Sequence, residues 1–261
     1  MTTISIIGGG NMGTAILERV RKNFKVLVCE QNPQRANYLR RTYKITPADF
    51  GSALKKSDIV IVAVKPQDIE GVLECMSALV RKKLVISIAA GITTSYIEKR
   101  LGNGTKVIRT MPNLNAQIGQ GVTAICKGKY AAPADVRLAR DIFNKIGTTV
   151  IVQEKNMDAV TAISGSGPAY VFLFEESLQK AAESLGLDKA TAKILSYGTL
   201  LGSVFHLLGS KDDAQTLRAK VTSKGGTTEA AMKVFFAKKF QNIIKEAAMA
   251  AKKRAGKLSK K

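Results

Sequence analysis

The stretch Asp158-Ala-Val-Thr-Ala-Ile-Ser-Gly-Ser-Gly-Pro-Ala-Tyr170 separates two parts of the sequence that differ in character. Before it, short apolar runs typical of strands alternate with segments of helical spacing, whereas no run after it has the pattern of a strand. The stretch begins like a short helix, breaks at 164–167, and restarts at Pro168, where a missing N–H costs a helix nothing. Serines and glycines at the break can cap the new helix and leave backbone amides free for a ligand. We therefore predict an α/β domain over residues 1–155 and an all-helical domain over residues 156–261.

Composition limits the class of protein. With 261 residues and 45% hydrophobic content, the chain can bury a core in each of two domains. No apolar run approaches the ~18 residues that span a bilayer, and the first strand begins too early to leave room for a signal peptide. Cys29, Cys75 and Cys126 are few and scattered, which indicates a reducing compartment and no metal site. We expect a cytoplasmic protein without a membrane partner.

The net charge is strongly positive, because 41 Lys and Arg face 20 Asp and Glu and give +21. Such a charge attracts polyanions nonspecifically. The basic residues are nevertheless spread along the chain, and the densest run is the tail Lys252–Lys261. Zinc-finger spacing and aromatic-basic interleaving are both missing from the sequence. We predict the basic surface of an enzyme and no specific nucleic-acid partner.

The N-terminus carries a glycine-rich turn between a strand and a helix. The β-branched run Thr3–Ile7 precedes Gly8-Gly9-Gly10-Asn11-Met12-Gly13, and Met12–Val20 has helical spacing. Gly8-x-Gly10-x-x-Gly13 in this context is the dinucleotide fingerprint of a Rossmann-type doubly wound sheet, although the glycine pattern alone also fits a plain turn. The helix N-terminus supplies amides for a pyrophosphate. The predicted cofactor-binding residues of this turn are Gly8, Gly10, Asn11, Met12 and Gly13.

A second strand, Lys25–Cys29, ends at Glu30, about twenty residues beyond the central glycine. A carboxylate there can accept the adenosine ribose hydroxyls and repels a 2′-phosphate, which favours NADH. Nearby polar residues could still accommodate NADPH; they are Gln31, Asn32 and Arg35. The sequence therefore predicts NADPH or NADH as cofactor, with Glu30 among its contacts.

Further apolar runs extend the predicted sheet. They are Ile59–Val64, Leu84–Ala89, Lys106–Thr110, Val122–Cys126 and Thr149–Gln153, with a helix over Gln67–Leu79. Ligands of such sheets bind beyond the carboxyl ends of the strands, although each loop alone could serve packing only. The loops there outline a cleft long enough for a dinucleotide. Their predicted cofactor contacts are Val64, Lys65, Pro66, Ala89, Ala90, Gly91 and Asn113.

The C-terminal part reads as helices over Pro168–Leu185 and Ala190–Leu208, a shorter one after Asp212-Asp213, and a final one from about Glu229. The helix Ala190–Leu208 is apolar on most sides and carries Gly198 and Gly202, so a partner subunit is its natural cover. The lone histidine, His206, is given no catalytic role. The loop Thr222–Thr228 places two glycines among hydroxyls before a helix. It is either an ordinary turn or an anion cradle suited to a carboxylate.

Taken together, these motifs make the whole chain resemble the pyrroline-5-carboxylate reductases. The matching segments are Ile6–Gly13, Ala63–Pro66, Ser87–Gly91, Arg109–Asn113, Asp158–Tyr170 and Val221–Thr228. The resemblance implies a Rossmann domain followed by an all-helical dimerisation domain, in a homodimer or larger homo-oligomer. It also implies reduction of Δ1-pyrroline-5-carboxylate to L-proline by NADPH or NADH, the final step of proline biosynthesis.

The resemblance also implies roles for particular residues. Ser223 and the amides of Gly225, Gly226, Thr227 and Thr228 would hold the substrate carboxylate, with the Thr228 hydroxyl near the ring nitrogen. Glu154 would lie close to the substrate, and Ser166 and Pro168 would contact it; Ser223, Thr228 and Glu154 are the predicted catalytic residues. Two positions depart from the family pattern: Lys224 replaces a common proline, and Ala219 replaces a common acidic residue.

The chemistry fits what the sequence lacks. A protonated cyclic imine is already electrophilic, so hydride transfer needs positioning and electrostatics but no nucleophile, metal or strong base. A β-hydroxyacid dehydrogenase would need a general base at the alcohol, which a lysine of the helical domain could provide. A regulator that binds the cofactor without turnover is the alternative outside enzymes. Oxidation of NADPH dependent on pyrroline-5-carboxylate distinguishes the three.

Overall fold

The computed structural model describes residues 1–258. By its internal contacts the chain forms two units. Unit 1 comprises residues 1–166 together with the C-terminal residues from Ala250, and unit 2 comprises Gly167–Met249. The tail residues Lys260 and Lys261, part of the predicted basic run, lie outside the described residues. The functional boundary between residues 155 and 156 stays a prediction.

Unit 1 is built on a seven-stranded sheet with the strand order β2-β1-β3-β4-β5-β6-β7. The strands are β1 Thr3–Ile7, β2 Lys25–Cys29, β3 Ile59–Val62, β4 Leu84–Ser87, β5 Lys106–Met111, β6 Gly121–Lys127 and β7 Gly147–Ile151. Strands β1 to β5 are parallel, β6 runs antiparallel to β5, and β7 is parallel to β6. The connection from β5 to β6 holds no crossover helix, so the chain can only return antiparallel.

The unit 1 helices are α1 Asn11–Val20, α2 Pro33–Tyr38, α3 Phe50–Lys56, α4 Ile69–Met76, α5 Thr94–Leu101, α6 Pro133–Phe143 and α7 Met157–Val160. Two π-helical turns follow α2 and α7, at Leu39–Tyr43 and Thr161–Gly165. Single 3-10 turns lie at Ser77–Leu79, Leu114–Ile118 and Glu154–Asn156. Of the helix predicted over Gln67–Leu79, α4 covers only Ile69–Met76, and the 3-10 turn Ser77–Leu79 follows it.

Alternate residues of each central strand enter two different cores. Ile59 and Ile61 of β3 belong to the core that α1 and α6 cover, whereas Val60 and Val62 belong to the core that α3, α4 and α5 cover. A parallel sheet covered on both faces explains why its strands read as continuous apolar runs. The Rossmann-type doubly wound sheet predicted from the sequence is confirmed.

Unit 2 is helical throughout. Its helices are α8 Gly167–Ser184, α9 Lys189–Gly209, α10 Ala214–Lys220, α11 Thr227–Ala237 and α12 Phe240–Leu258, the last of which ends in unit 1. Asp188 caps α9 through its carboxylate, which accepts the N–H groups of Ala190 and Thr191. The all-helical C-terminal part predicted from the sequence is confirmed.

Two details of the helical prediction are wrong. The break in Asp158–Tyr170 is narrower than 164–167, because a π-helical turn continues to Gly165 and α8 already begins at Gly167. The final helix is divided, because Lys239 takes a left-handed conformation at φ 52°. The division lets the Phe240 ring contact Phe235, at 5.3 Å between ring centroids.

Unit 2 buries very little of its own surface. Of residues 167–249 only Pro168, Ala192 and Ser196 are buried, and large apolar side chains are exposed along α8, α9, α11 and α12. Examples on α9 are Ile194 at 69% exposure, Phe205 at 64% and Leu208 at 76%. A helical unit with so little core needs another surface to cover it.

Over residues 1–258, we find no helix that combines the length and the apolar character needed to cross a membrane.

Candidate active site

The three glycines of the fingerprint differ in what surrounds them. Gly8 has φ 105°, and a Cβ there would lie 2.7 Å from the Ala63 carbonyl oxygen. A Cβ on Gly13 would lie 2.1 Å from the Gly8 carbonyl oxygen, so α1 can approach β1 this closely only with glycine. Apart from its chain neighbours, nothing in residues 1–258 lies within 4 Å of a Cβ position at Gly10, which leaves the backbone open to a ligand. This arrangement fits a dinucleotide pyrophosphate at the N-terminus of α1.

Glu30 is tied to the main chain around this turn. One carboxylate oxygen accepts the N–H of Gly9 at 2.8 Å, and the other accepts the N–H of Asn32 at 2.7 Å. Each oxygen has further lone pairs and could still meet a ribose hydroxyl. The carboxylate nevertheless already serves to join the end of β2 to the glycine-rich turn.

Arg35 brings a positive charge to the same turn. Its guanidinium donates to the Gly9 carbonyl and, at 3.1 Å, to the Thr14 hydroxyl, and it lies 4.5 Å from the centre of the Tyr38 ring. The Asn32 side chain caps α2 by accepting the Arg35 N–H. A cation held beside the fingerprint is suited to a phosphate rather than to a ribose hydroxyl.

The other predicted cofactor residues lie along the same edge of the sheet. Because β1, β3, β4 and β5 are parallel, their carboxyl ends meet there. Val64 lies 3.2 Å from a Cβ placed on Gly8, and Ala89 donates its N–H to the Ser87 hydroxyl at 3.2 Å. Lys65 and Pro66 are exposed at the end of β3, Ala90 is half-buried, and Gly91 takes φ 79°.

Asn113 is buried and joins two segments that are distant in sequence. Its side-chain oxygen accepts the N–H of Val122 at 3.1 Å, and its amide nitrogen donates to the Ser164 hydroxyl at 3.4 Å. A Cβ on Gly165 would lie 2.8 Å from the Met111 side chain. The π-helical turn Thr161–Gly165 is therefore seated on the end of β5, and Ser166 follows it directly.

Glu154 is bound by groups of unit 1 at the same edge. Its carboxylate accepts the Thr94 N–H at 2.7 Å and the Thr94 hydroxyl at 2.6 Å, and it pairs with Arg109 at 3.3 Å. Burial raises the pKa of the Cys126 thiol to about 12, and the Glu154 charge adds to that rise. The sequence singled out Glu154 but missed Thr94 and Arg109, which its carboxylate binds.

The loop predicted to hold the substrate carboxylate, Ser223–Thr228, lies in unit 2. Two of its backbone N–H groups already donate to acceptors in or next to the loop. The Gly225 N–H donates to Glu229 at 2.9 Å, and the Gly226 N–H donates to the Ser223 carbonyl at 3.1 Å. Thr227 and Thr228 stand in the first turn of α11, where N–H groups have no intrahelical acceptor. Pro168, also predicted to contact the substrate, is buried near the start of α8. Donors that this loop can offer to an anion include the Ser223 and Thr228 hydroxyls and the two threonine amides.

Within the part of the chain that the structure describes, no group of three or more His, Cys, Asp or Glu side chains could hold a metal ion. The three cysteines are free thiols, and burial raises the pKa of Cys29 to about 11.

Known proteins match both parts of the chain. Residues 3–91 match the family "NADP oxidoreductase coenzyme F420-dependent", and residues 154–258 match the family "Pyrroline-5-carboxylate reductase dimerisation". A pyrroline-5-carboxylate reductase of Synechocystis is 38% identical over 264 residues, covering 99% of this chain and 98% of that protein.

Two solved structures are similar over their whole length. A pyrroline-5-carboxylate reductase from Coxiella burnetii has a TM-score of 0.91 at 34% identity, covering 100% of this chain and 99% of the other. The Plasmodium falciparum pyrroline carboxylate reductase, solved with NADP bound, has a TM-score of 0.89 at 28% identity, covering 99% and 100%.

The fold and the glycine-lined edge, together with these matches, define the class of a nicotinamide-dependent oxidoreductase with a Rossmann-type domain. Within that class the chain belongs to the pyrroline-5-carboxylate reductase family. This assignment replaces the two alternatives considered from the sequence, the β-hydroxyacid dehydrogenase and the cofactor-binding regulator.

Proposed function

We propose that the chain reduces Δ1-pyrroline-5-carboxylate to L-proline with NADPH or NADH. The observation that carries this proposal is the family relation, which extends over 99% of the chain and includes both the fingerprint and the Ser223–Thr228 loop. When bound, the reduced nicotinamide supplies a hydride to the carbon of the C=N bond, and the protonated ring nitrogen becomes the amine of proline. The test is oxidation of NADPH or NADH that requires the imine and yields L-proline.

Unit 1 would hold the cofactor. The open backbone at Gly10 and the first amides of α1, at Asn11, Met12 and Gly13, face the pyrophosphate, and Gly8 permits the turn. Glu30 and Arg35 flank the adenosine ribose, while the loops at Val64–Pro66 and Ala89–Gly91 and the side chain of Asn113 border the nicotinamide half. These groups bind and orient the cofactor and donate no proton.

Unit 2 would hold the substrate. The Ser223 hydroxyl and the amides of Thr227 and Thr228 form the carboxylate site, which the positive end of α11 favours. The amides of Gly225 and Gly226, predicted as donors, instead keep the loop in shape through Glu229 and the Ser223 carbonyl. The Thr228 hydroxyl would contact the ring nitrogen. Ser166 and Pro168 stay predicted substrate contacts. We keep residues 1–155 and 156–261 as the proposed functional domains.

We further propose a homodimer formed by the C-terminal helices, in which the exposed apolar side chains of α8, α9, α11 and α12 are covered by a second copy. The scarcity of buried residues in unit 2 and the match of residues 154–258 to a dimerisation family support it. We place the protein in the cytoplasm, where its three free cysteines stay reduced.

A further inference from the structure

Glu154 is expected to lie close to the substrate, yet its carboxylate binds Thr94 and Arg109 of its own unit. The segment that it opens, here called the junction segment, is Glu154–Gly165. This segment contains the 3-10 turn, α7 and the π-helical turn, and it ends where Ser164 and Gly165 lie against Asn113 and Met111. Glu154 therefore fixes the start of the junction segment, while β5 fixes its end.

One partner of Glu154 is Thr94, which lies beyond the carboxyl end of β4. Thr94 is the first residue of α5, and only Ile92 and the N-cap Thr93 separate it from the predicted cofactor loop Ala89–Gly91. The hydrogen bonds inside that loop are long, at 3.2 Å from the Ala89 N–H to Ser87 and 3.4 Å from the Ile92 N–H to the Ala89 carbonyl. The two bonds from Thr94 to Glu154 are 2.7 and 2.6 Å, and an ionised acceptor makes them roughly twice as strong as neutral bonds.

Arg109 adds a charged partner to these two hydrogen bonds. The residue is 3% exposed on β5, between β4 and β6, and its guanidinium pairs with Glu154. A buried cation without a counter-charge is strongly unfavourable. The Glu154 carboxylate thus balances a buried cation and accepts two short hydrogen bonds, so both its oxygens are already engaged within unit 1.

We propose that Glu154 is a positioning residue, which ties the cofactor loop Ala89–Gly91 and the junction segment to β5 through Thr94 and Arg109. The proposal rests on the proposed function, in which the loop Ala89–Gly91 and Asn113, a contact of the junction segment, border the nicotinamide half of the cofactor. We therefore expect loss of these contacts to lower the rate of hydride transfer and to leave the pH dependence of kcat unchanged in shape.

The first variant is Glu154→Gln, which keeps the shape of the side chain and removes its charge. We expect kcat to fall by ~10-fold or more, with the pH dependence of kcat unchanged in shape and the Kd for NADPH within ~3-fold of wild type. Amide hydrogen exchange over residues 89–94 should accelerate. An acid or base would behave differently, because its removal would abolish one limb of the pH profile.

Since Glu154→Gln leaves Arg109 unbalanced and could impair folding, Thr94 supplies a second pair of variants. Thr94→Val removes the hydroxyl and should lower kcat by ~3-fold, whereas Thr94→Ser keeps it and should retain wild-type kcat. Adding Thr94→Val to Glu154→Gln should lower kcat no further, because both changes break one tie.

The matched control is Glu98→Gln. Glu98 is a buried carboxylate of α5 that accepts the Lys129 N–H at 2.7 Å, so the variant removes the charge from a comparable acceptor in the same unit. It should lose thermal stability and keep wild-type kcat. A loss of kcat in Glu98→Gln equal to that in Glu154→Gln would overturn the proposal, since general destabilisation would then explain both.

Loss of one limb of the pH profile in Glu154→Gln would also overturn the proposal. So would wild-type kcat together with unchanged exchange over residues 89–94 in both Glu154→Gln and Thr94→Val. If the wild-type chain shows no turnover of the imine, the proposed function fails instead. Hydrogen exchange then still decides whether Glu154 ties the two segments together.

Discussion

At the scale of single residues, the two proposed substrate contacts act at different moments of the reaction. The carboxylate of the substrate is equally charged before and during hydride transfer, so groups that bind it contribute uniformly. The ring nitrogen changes character as the C=N bond is reduced, so a hydrogen bond to it can strengthen in the transition state. Thr228 and Ser223 should therefore have distinct kinetic signatures.

We expect Thr228→Ala to lower kcat more than it raises KM for the imine, by very roughly tenfold or more. Ser223→Ala should mainly raise KM. Steady-state kinetics test both, and Thr228→Ser, which keeps the hydroxyl, is the control for Thr228→Ala. Cofactor affinity, measured by fluorescence, should stay unchanged because the dinucleotide is proposed to bind to unit 1. Wild-type kcat in Thr228→Ala, or loss of cofactor binding with it, would show that the loop serves another purpose.

The structure changes the expectation for Glu30. The sequence predicts that Glu30 favours NADH, but its carboxylate already accepts the N–H groups of Gly9 and Asn32, and Arg35 lies beside the same turn. A preference for NADH thus stays a prediction that rests on the charge of Glu30 alone. The position of Arg35 supports use of NADPH.

Arg35→Ala should lower kcat/KM for NADPH by about tenfold more than for NADH, because the lost guanidinium can bind a 2′-phosphate. The measurement is kcat/KM for both cofactors in wild type and variant. Arg40→Ala, which removes an exposed arginine paired with Asn37, is the matched control and should leave the ratio unchanged. Equal losses of kcat/KM for the two cofactors in Arg35→Ala would show that Arg35 maintains the shape of the turn and does not recognise the 2′-phosphate.

At the scale of secondary-structure elements, α9 is the helix whose surface most needs an explanation. Gly198 and Gly202 lie on it four residues apart, and apart from the adjoining backbone of α9 nothing among residues 1–258 lies within 4 Å of a Cβ at either position. Within one protomer neither glycine is required for packing. The lack of a Cβ at both positions would let a helix of a second copy approach closely there.

Gly202→Glu should therefore convert the homodimer to monomers, because a charged side chain would be forced into an apolar contact. Light scattering at micromolar concentration measures the effect. Gly71→Glu is the matched control, since Gly71 is also an exposed helical glycine with nothing within 4 Å, but lies in unit 1. A wild-type chain that is monomeric, folded and active would contradict the dimer.

The bounds of several elements could be predicted because their signals are local. The runs Thr3–Ile7 and Lys25–Cys29 agree with β1 and β2, since β-branched and other apolar residues dominate both runs. The start of α9 followed from its cap, Asp188. The division of the last helix at Lys239 escaped prediction, because it depends on contacts of the Phe240 ring with other helices.

For the candidate site too, only the features with a local sequence signal could be predicted. Its glycines were predictable, because their spacing between a strand and a helix is a local pattern. The partners of Glu154 were not, since Thr94 and Arg109 lie 60 and 45 residues away in sequence. Side chains that meet only after the sheet has formed leave no periodic signal.

At the scale of the whole molecule, the positive charge is unevenly divided between the units. Residues 1–166 and 250–261 hold 30 Lys and Arg against 12 Asp and Glu, whereas residues 167–249 hold 11 against 8. Unit 1 therefore carries +18 of the total +21 and unit 2 carries +3. The excess lies on the unit proposed to bind the anionic cofactor, where it can speed the encounter of the two.

Salt should therefore slow cofactor capture. We expect kcat/KM for NADPH to fall severalfold between about 20 mM and about 300 mM salt, and that for NADH to fall less, because NADPH carries the additional phosphate. The matched comparison is kcat/KM for the imine at saturating cofactor, which should change little. Equal salt dependence for all three would mean that the charge of unit 1 does not guide the cofactor.

The central claim is that this chain is an imine reductase that forms proline. The most direct measurement mixes the purified chain with Δ1-pyrroline-5-carboxylate and NADPH or NADH, and follows both cofactor oxidation and L-proline. We predict that one L-proline appears for each cofactor oxidised and that omission of the imine stops the reaction. A folded chain that binds NADPH or NADH but oxidises neither in the presence of the imine would contradict the account.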